Sequence, residues 1–130
     1  MSNIKIIDDD LGLAENLGVM LEHEGYKVSY RDTTNGAVEE LVRNKPDLLI
    51  LDIMFPDSPC GGFDLARKIR QTQEVEDLPI ILLTGLNQEF PMDFSREDID
   101  SAWMPVQEFM KKPAKMPDLL DKMSQLLKKR

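Results

Sequence analysis

The sequence predicts an α/β protein: a doubly wound, five-stranded parallel sheet with helices on both faces. Two observations carry this. Five short apolar runs recur along the 130 residues, and amphipathic stretches at helical spacing fill the gaps between them. The third and fourth runs, Leu48 to Leu51 and Ile80 to Leu83, are almost unbroken Leu and Ile. Strands covered on both faces read that way, because neither side of the pleat meets water.

The first strand is Ile4 to Ile7. Leu13, Leu17, Met20 and Leu21 then share one face of a helix, and Gly25 ends it. A weaker second strand runs from Lys27 to Tyr30. Ala37 with Leu41 and Val38 with Val42 mark the second helix, capped by Thr33 or Thr34 and closed off by Pro46. Phe63, Ala66, Ile69 and Arg70 mark a helix after the third strand. Beyond the fourth strand, Leu86 to Met104 holds Pro91, several acids and the only tryptophan, Trp103, with a helix expected from about Ser95 to Trp103. The fifth strand is Val106 to Met110, and Leu119, Leu120, Met123, Leu126 and Leu127 line the last helix. No repeat, low-complexity segment or linker interrupts this order, so residues 1–130 read as a single domain.

Composition narrows the function. The chain is 42% hydrophobic and 31% charged, which suits a globular domain with a core of its own. Cys60 is the only cysteine, so no intrachain disulfide forms, and a reducing compartment fits. No apolar run approaches the ~18–20 residues of a membrane span and no signal-peptide pattern opens the chain, so a cytoplasmic protein is expected. A net charge of -8 argues against direct DNA binding, which needs clustered Lys and Arg. Lys128, Lys129 and Arg130 form a basic tail suited to the negative end of the last helix dipole.

The chemistry lies where the strands end. The first run stops at Asp8, Asp9 and Asp10, the third at Asp52 and the fourth at Thr84, while Lys111, Lys112 and Pro113 follow the fifth. In an open parallel sheet these ends share one edge, and ligands bind in the crevice there. Carboxylates converging on a crevice repel each other unless a cation neutralises them. Oxygen ligands with no cluster of His or Cys favour Mg²⁺ over zinc. The Thr84 hydroxyl and the Lys112 ammonium add a donor and a positive charge. A carboxylate nucleophile, a metal and fixed donors are the parts that phosphoryl transfer needs.

Four segments carry a resemblance. They are Ile6-Ile7-Asp8-Asp9-Asp10, Leu49-Ile50-Leu51-Asp52-Ile53-Met54 with Pro56, Ile81-Leu82-Leu83-Thr84-Gly85, and Phe109-Met110-Lys111-Lys112-Pro113. Together they resemble the receiver family of two-component signalling over essentially the whole chain. The resemblance implies a flavodoxin-like fold with strand order 2-1-3-4-5. It implies that Asp52 accepts a phosphoryl group from a phosphohistidine kinase, and that Asp8, Asp9, Asp52 and the Met54 carbonyl hold Mg²⁺. Thr84 and Lys112 would contact the phosphoryl oxygens, with Thr84 and Phe109 as the switch residues. Lys111, one residue off in a strand, would face the other way. The implied activity is transfer to its own aspartate rather than enzymatic turnover. The implied partners are a sensor histidine kinase or phosphotransfer protein and a protein effector, without direct DNA binding or a membrane. Homodimerisation through the fourth helix, fifth strand and fifth helix is a further expectation, and a stand-alone receiver is the reading of the length.

The chain departs from the family pattern twice. The loop from Pro56 to Gly62 is about two residues longer than usual, and the segment from Thr84 to Lys112 is several residues longer and lacks the usual Gly-Ala. Two rival functions are weighed against the receiver. A metal-dependent phosphohydrolase wants a second carboxylate two residues after its nucleophile, where Met54 stands. A phosphorylation-independent binding module has no need of the set Asp8, Asp9, Asp52, Thr84 and Lys112. Of the remaining residues, His23 is expected to be exposed and inert, and Cys60 an ordinary loop thiol. Phe90, Phe94, Trp103 and Met104 either bury a lengthened helix or touch a partner. Met54 and Leu86 are apolar and cannot activate water, so a long-lived phosphorylated form is expected.

Overall fold

The computed structural model describes residues 2–52, 61–84, 108–111 and 116–128. Its strands are β1 Asn3–Ile7, β2 Lys27–Arg31, β3 Leu48–Asp52, β4 Ile80–Thr84 and β5 Glu108–Lys111. All are parallel and lie in the order β2-β1-β3-β4-β5. The expected fold class therefore holds, down to the order of the strands. The helices are α1 Leu11–His23, α2 Ala37–Arg43, α3 Gly61–Arg70 and a C-terminal helix Met116–Lys128, with a 3₁₀ turn at Gln73–Val75. The chain winds to one side of β1 through β2 and to the other through β3, β4 and β5, which makes the β1–β3 boundary the switch point.

Side-chain alternation divides the core into two halves. On one face Leu49, Leu51, Ile80 and Leu82 pack against Ala37 and Leu41 of α2 and Leu65, Ala66 and Ile69 of α3. On the other, Ile4, Ile6, Leu48, Ile50, Ile81 and Leu83 meet Ala14 and Leu21 of α1 and Leu119 and Met123 of the C-terminal helix. All five residues of β3 are buried, which is why its apolar run is unbroken. Removing each such Leu or Ile from water contributes about 1.5–3 kcal/mol.

Three helix details differ from the sequence reading. In α1 the buried positions are Ala14, Gly18 and Leu21, while Leu13 and Met20 are about half exposed. The helix is turned toward its small residues because Tyr30 of β2 lies against Gly18. A Cβ there would stand 2.7 Å from ring atoms Cε1 and Cζ. At the start of α2, neither Thr33 nor Thr34 caps with its side chain. Gly36 takes the N-cap position at φ 74, and the Ala37 amide donates to the Thr34 carbonyl. In α3 Ala66 and Ile69 fill the core as expected and Leu65 joins them, while Arg70 is partly exposed and donates to the Glu76 carbonyl; the side chain of Phe63 lies outside the described residues. Gly25 does end α1, at φ 97, with the Gly25 amide bonded to Glu22 O and the Tyr26 amide to Leu21 O. His23 is exposed, as expected. The fifth strand covers Glu108–Lys111, and the helix expected at 95–103, with Cys60, Phe90, Phe94, Trp103 and Met104, lies outside the described residues.

Candidate functional site: an acidic edge of the sheet

The register brings the strand ends level. Ile7 of β1 pairs with Leu51 of β3 and with Arg31 of β2, so the residues that follow Ile7 and Leu51 stand together at the switch point. Those residues are Asp8 and Asp52, each only 3% exposed. Asp52 pairs with Leu83 of β4, and Thr84, one step further, pairs with Lys111 of β5. The backbone thus carries Asp8, Asp52 and Thr84 to the same edge.

Asp8 is tied through both its main chain and its side chain. Its amide donates to the Arg31 carbonyl at 3.0 Å, and its Oδ1 accepts the Asp10 amide at 3.0 Å. Asp9 is exposed. One carboxylate oxygen from each of Asp8, Asp9 and Asp52 lies within 4.8 Å of the others. Asp10 serves the helix instead, since its Oδ1 accepts the Leu13 amide at 3.1 Å and caps α1. The acidic triplet is therefore two cluster members and one helix cap.

Behind the cluster lies a network that the sequence pattern did not reveal. Lys5, 8% exposed in the middle of β1, pairs with Glu40 Oε1 of α2. Glu40 Oε2 accepts Arg31 Nη1 at 3.0 Å. Arg31 also donates through Nε to the Thr33 carbonyl at 3.1 Å and through Nη2 to the Asn35 carbonyl. Burial pushes the Glu40 carboxyl up, but its bonds to Lys5 and Arg31 outweigh that and hold it below the usual carboxylate range. One signal for it does stand in the sequence: a lysine inside a buried apolar strand requires a partner.

The other expected site residues divide in two. Thr84 and Phe109 are placed as strand residues, with Phe109 beside Leu82 in the register. Met54, Leu86 and Lys112 lie outside the described residues, as do the side chains of Thr84 and Phe109.

Residues 4–124 match the family model for the response regulator receiver domain. The chain belongs to the response regulator receiver family. One curated relative, the phosphate regulon transcriptional regulatory protein PhoB of Rhizobium meliloti, is 31% identical over 129 residues, covering 99% of this chain and 53% of PhoB. PhoB of Pseudomonas aeruginosa is 37% identical over 86 residues, 66% of this chain and 37% of that protein. The chain thus spans about half, or less, of the length of these relatives. Among solved structures, the signal receiver domain of a signal transduction histidine kinase from Syntrophus aciditrophicus superposes with a TM-score of 0.80 at 30% identity, covering 98% of this chain and 91% of that one. A two-component response regulator from Clostridium difficile gives 0.77 at 26% identity, covering 98% and 97%. The receiver family and its flavodoxin-like fold are thereby shown for this chain. Among the described residues, no helix is long and apolar enough to cross a membrane.

Proposed function

We propose that this receiver takes a phosphoryl group onto Asp52 from a phosphohistidine, in the presence of Mg²⁺, and signals to a protein partner through a conformational switch. The observation that carries the reading is the convergence of Asp8, Asp9 and Asp52 within 4.8 Å at the switch point of the sheet. The donor set is all oxygen, and two of its three members are nearly buried, which suits a hard divalent cation. Asp8, Asp9, Asp52 and the Met54 carbonyl would hold it. When bound, the cation offsets charge on the carboxylates and on the incoming phosphoryl group.

The chain's own residues do the rest. An oxygen of Asp52 forms the new bond to phosphorus as the bond from phosphorus to the histidine nitrogen breaks. Its place at the end of a buried strand fixes the direction of attack. Lys112 and the Thr84 hydroxyl would hold the equatorial oxygens. The added charge would draw Thr84 inward and reorient Phe109, biasing a two-state surface. The reaction is a single transfer to the protein itself, so the domain is not an enzyme in the turnover sense. The donor would be a sensor histidine kinase or a phosphotransfer protein in the cytoplasm. A net charge of -8 disfavours DNA as this domain's direct target, so the target would be a protein. A second copy met through the fourth helix, fifth strand and fifth helix would be a further partner.

Intact mass after incubation with acetyl phosphate and Mg²⁺ tests this. Wild type gains one phosphoryl mass, Asp52→Ala does not, and EDTA abolishes the gain. An equal gain in Asp52→Ala refutes the acceptor, and indifference to EDTA refutes the metal. Steady release of inorganic phosphate at a hydrolase rate would favour the phosphohydrolase alternative. Partner binding unchanged by Asp52→Ala or by phosphorylation would favour the binding module.

A further inference from the structure

Arg31 is the last residue of β2, an edge strand paired only with β1 among the described residues. Among those residues no further strand restrains its outer side, yet the Arg31 carbonyl is the acceptor for the Asp8 amide. The restraint comes from the side chain. The guanidinium is a planar fork with donors in fixed directions. Here it reaches Glu40 Oε2, the Thr33 carbonyl and the Asn35 carbonyl, tying the strand end to α2 and to the β2–α2 loop. Glu40 in turn is anchored by Lys5, whose ammonium cannot be left unpaired at 8% exposure.

We propose that Glu40 and Arg31 are positioning residues for the acidic cluster: Glu40 holds the Arg31 side chain, and the Arg31 main chain holds Asp8. The inference rests on the proposal that Asp8, Asp9 and Asp52 bind a divalent cation. Metal affinity depends on ligands held ready, and the groups that orient ligands matter almost as much as the ligands themselves. Without Glu40, the Arg31 fork loses its fixed carboxylate and the end of β2 frays. Asp8 then samples orientations in which its oxygen no longer converges on those of Asp9 and Asp52.

Stability and positioning separate in a double variant. Glu40→Ala leaves the Lys5 charge buried and unpaired, so it destabilises for a reason unrelated to Asp8. Lys5→Met combined with Glu40→Leu removes both charges and restores apolar packing, but Arg31 keeps only its bonds to the Thr33 and Asn35 carbonyls and still lacks its tie to α2. The experiment measures urea unfolding and the Mg²⁺ dissociation constant, by calorimetry, at a temperature where every variant is folded. Glu40→Ala, Arg31→Ala and the double variant should each raise the constant by about three- to tenfold, below the usual range for direct ligand partners because one more bond intervenes. The double variant should recover the unfolding midpoint lost in Glu40→Ala without recovering affinity. Lys45→Ala, which breaks the exposed pair with Asp77, should leave the constant unchanged. Wild type that takes up no Mg²⁺ overturns the metal reading itself. Wild type that binds Mg²⁺, with a double variant or an Arg31→Ala protein of equal affinity, overturns the positioning role alone. If Glu40→Ala does not fold, the double variant and Arg31→Ala still decide the matter.

Discussion

Replacing Asp9 by Asn should make the metal-free protein more stable. The three carboxylate oxygens of Asp8, Asp9 and Asp52 lie within 4.8 Å of one another, so Asp9 repels two neighbours. At 4.8 Å, two unit charges repel by about 3.5 kcal/mol at an effective dielectric near 20, and by about 0.9 kcal/mol at that of water. Asp9 is exposed, so the screened end of that range applies, and two pairs give about 1–2 kcal/mol. Asparagine keeps the size of the side chain and leaves no buried amide behind. The gain should raise the melting temperature by about 3–8 °C in the presence of EDTA. Mg²⁺ should cancel the advantage. At a concentration a hundred times the wild-type dissociation constant, the cation stabilises wild type by about 2.7 kcal/mol, whereas tenfold weaker binding yields only about 1.4 kcal/mol. The two proteins should then melt at nearly the same temperature. Thermal and urea unfolding of both proteins, with EDTA and across a Mg²⁺ titration, measures this. An Asp9→Asn protein that is less stable than wild type in EDTA, or that gains as much from Mg²⁺, would show that the cluster is not held together against repulsion and is not the cation site.

Four further outcomes follow from the same physics. Glu40 is held below the ordinary carboxylate range, so its contribution is complete above the unfolded carboxylate value and disappears as pH falls through the lowered folded value. Glu40→Gln should therefore cost about 1–3 kcal/mol at neutral pH and progressively less under acid, as urea unfolding across pH would reveal. Gly18→Ala should destabilise by about 1 kcal/mol despite better helix propensity, because its Cβ meets the Tyr30 ring; with Tyr30→Ser the same change should become stabilising. Lys112→Ala should impair phosphorylation by acetyl phosphate while Lys111→Ala leaves it near wild type, and equal effects would sink the strand-alternation argument. Met54→Asn and Leu86→Glu should each hasten loss of the phosphoryl group after donor removal, since polar groups there can orient water.

Much of this molecule is legible in the sequence because its strongest signals are local. A strand covered on both faces needs an apolar side chain at every position, so β3 and β4 announce themselves as Leu48 to Leu51 and Ile80 to Leu83. Parallel strands end at one edge, so Asp8, Asp9, Asp52 and Thr84 fall at a single edge of the sheet on the strength of the strand pattern alone. The glycine at 25 marks the end of α1 because a left-handed turn residue is needed there whatever surrounds it.

Tertiary structure decided what depends on distant partners. Helical spacing gives α1 a face through Leu13, Leu17, Met20 and Leu21, of which Leu17 and Leu21 do pack on the core, but periodicity cannot tell how far the helix is turned toward the sheet. The Tyr30 ring, arriving from an edge strand, settles that in favour of Ala14 and Gly18. The three consecutive aspartates are alike in the strand pattern, and only the resemblance to receivers singles out Asp8 and Asp9; in the fold the start of α1 draws Asp10 into capping and leaves Asp8 and Asp9 with Asp52. Lys5 is visible as a charge in an apolar run, yet its partner lies 35 residues away on α2. Only folding brings Glu40 to it and to the side chain of Arg31, whose carbonyl accepts the Asp8 amide directly. The sequence determined which groups stand at the edge of the sheet; long-range packing determined how rigidly they are held there.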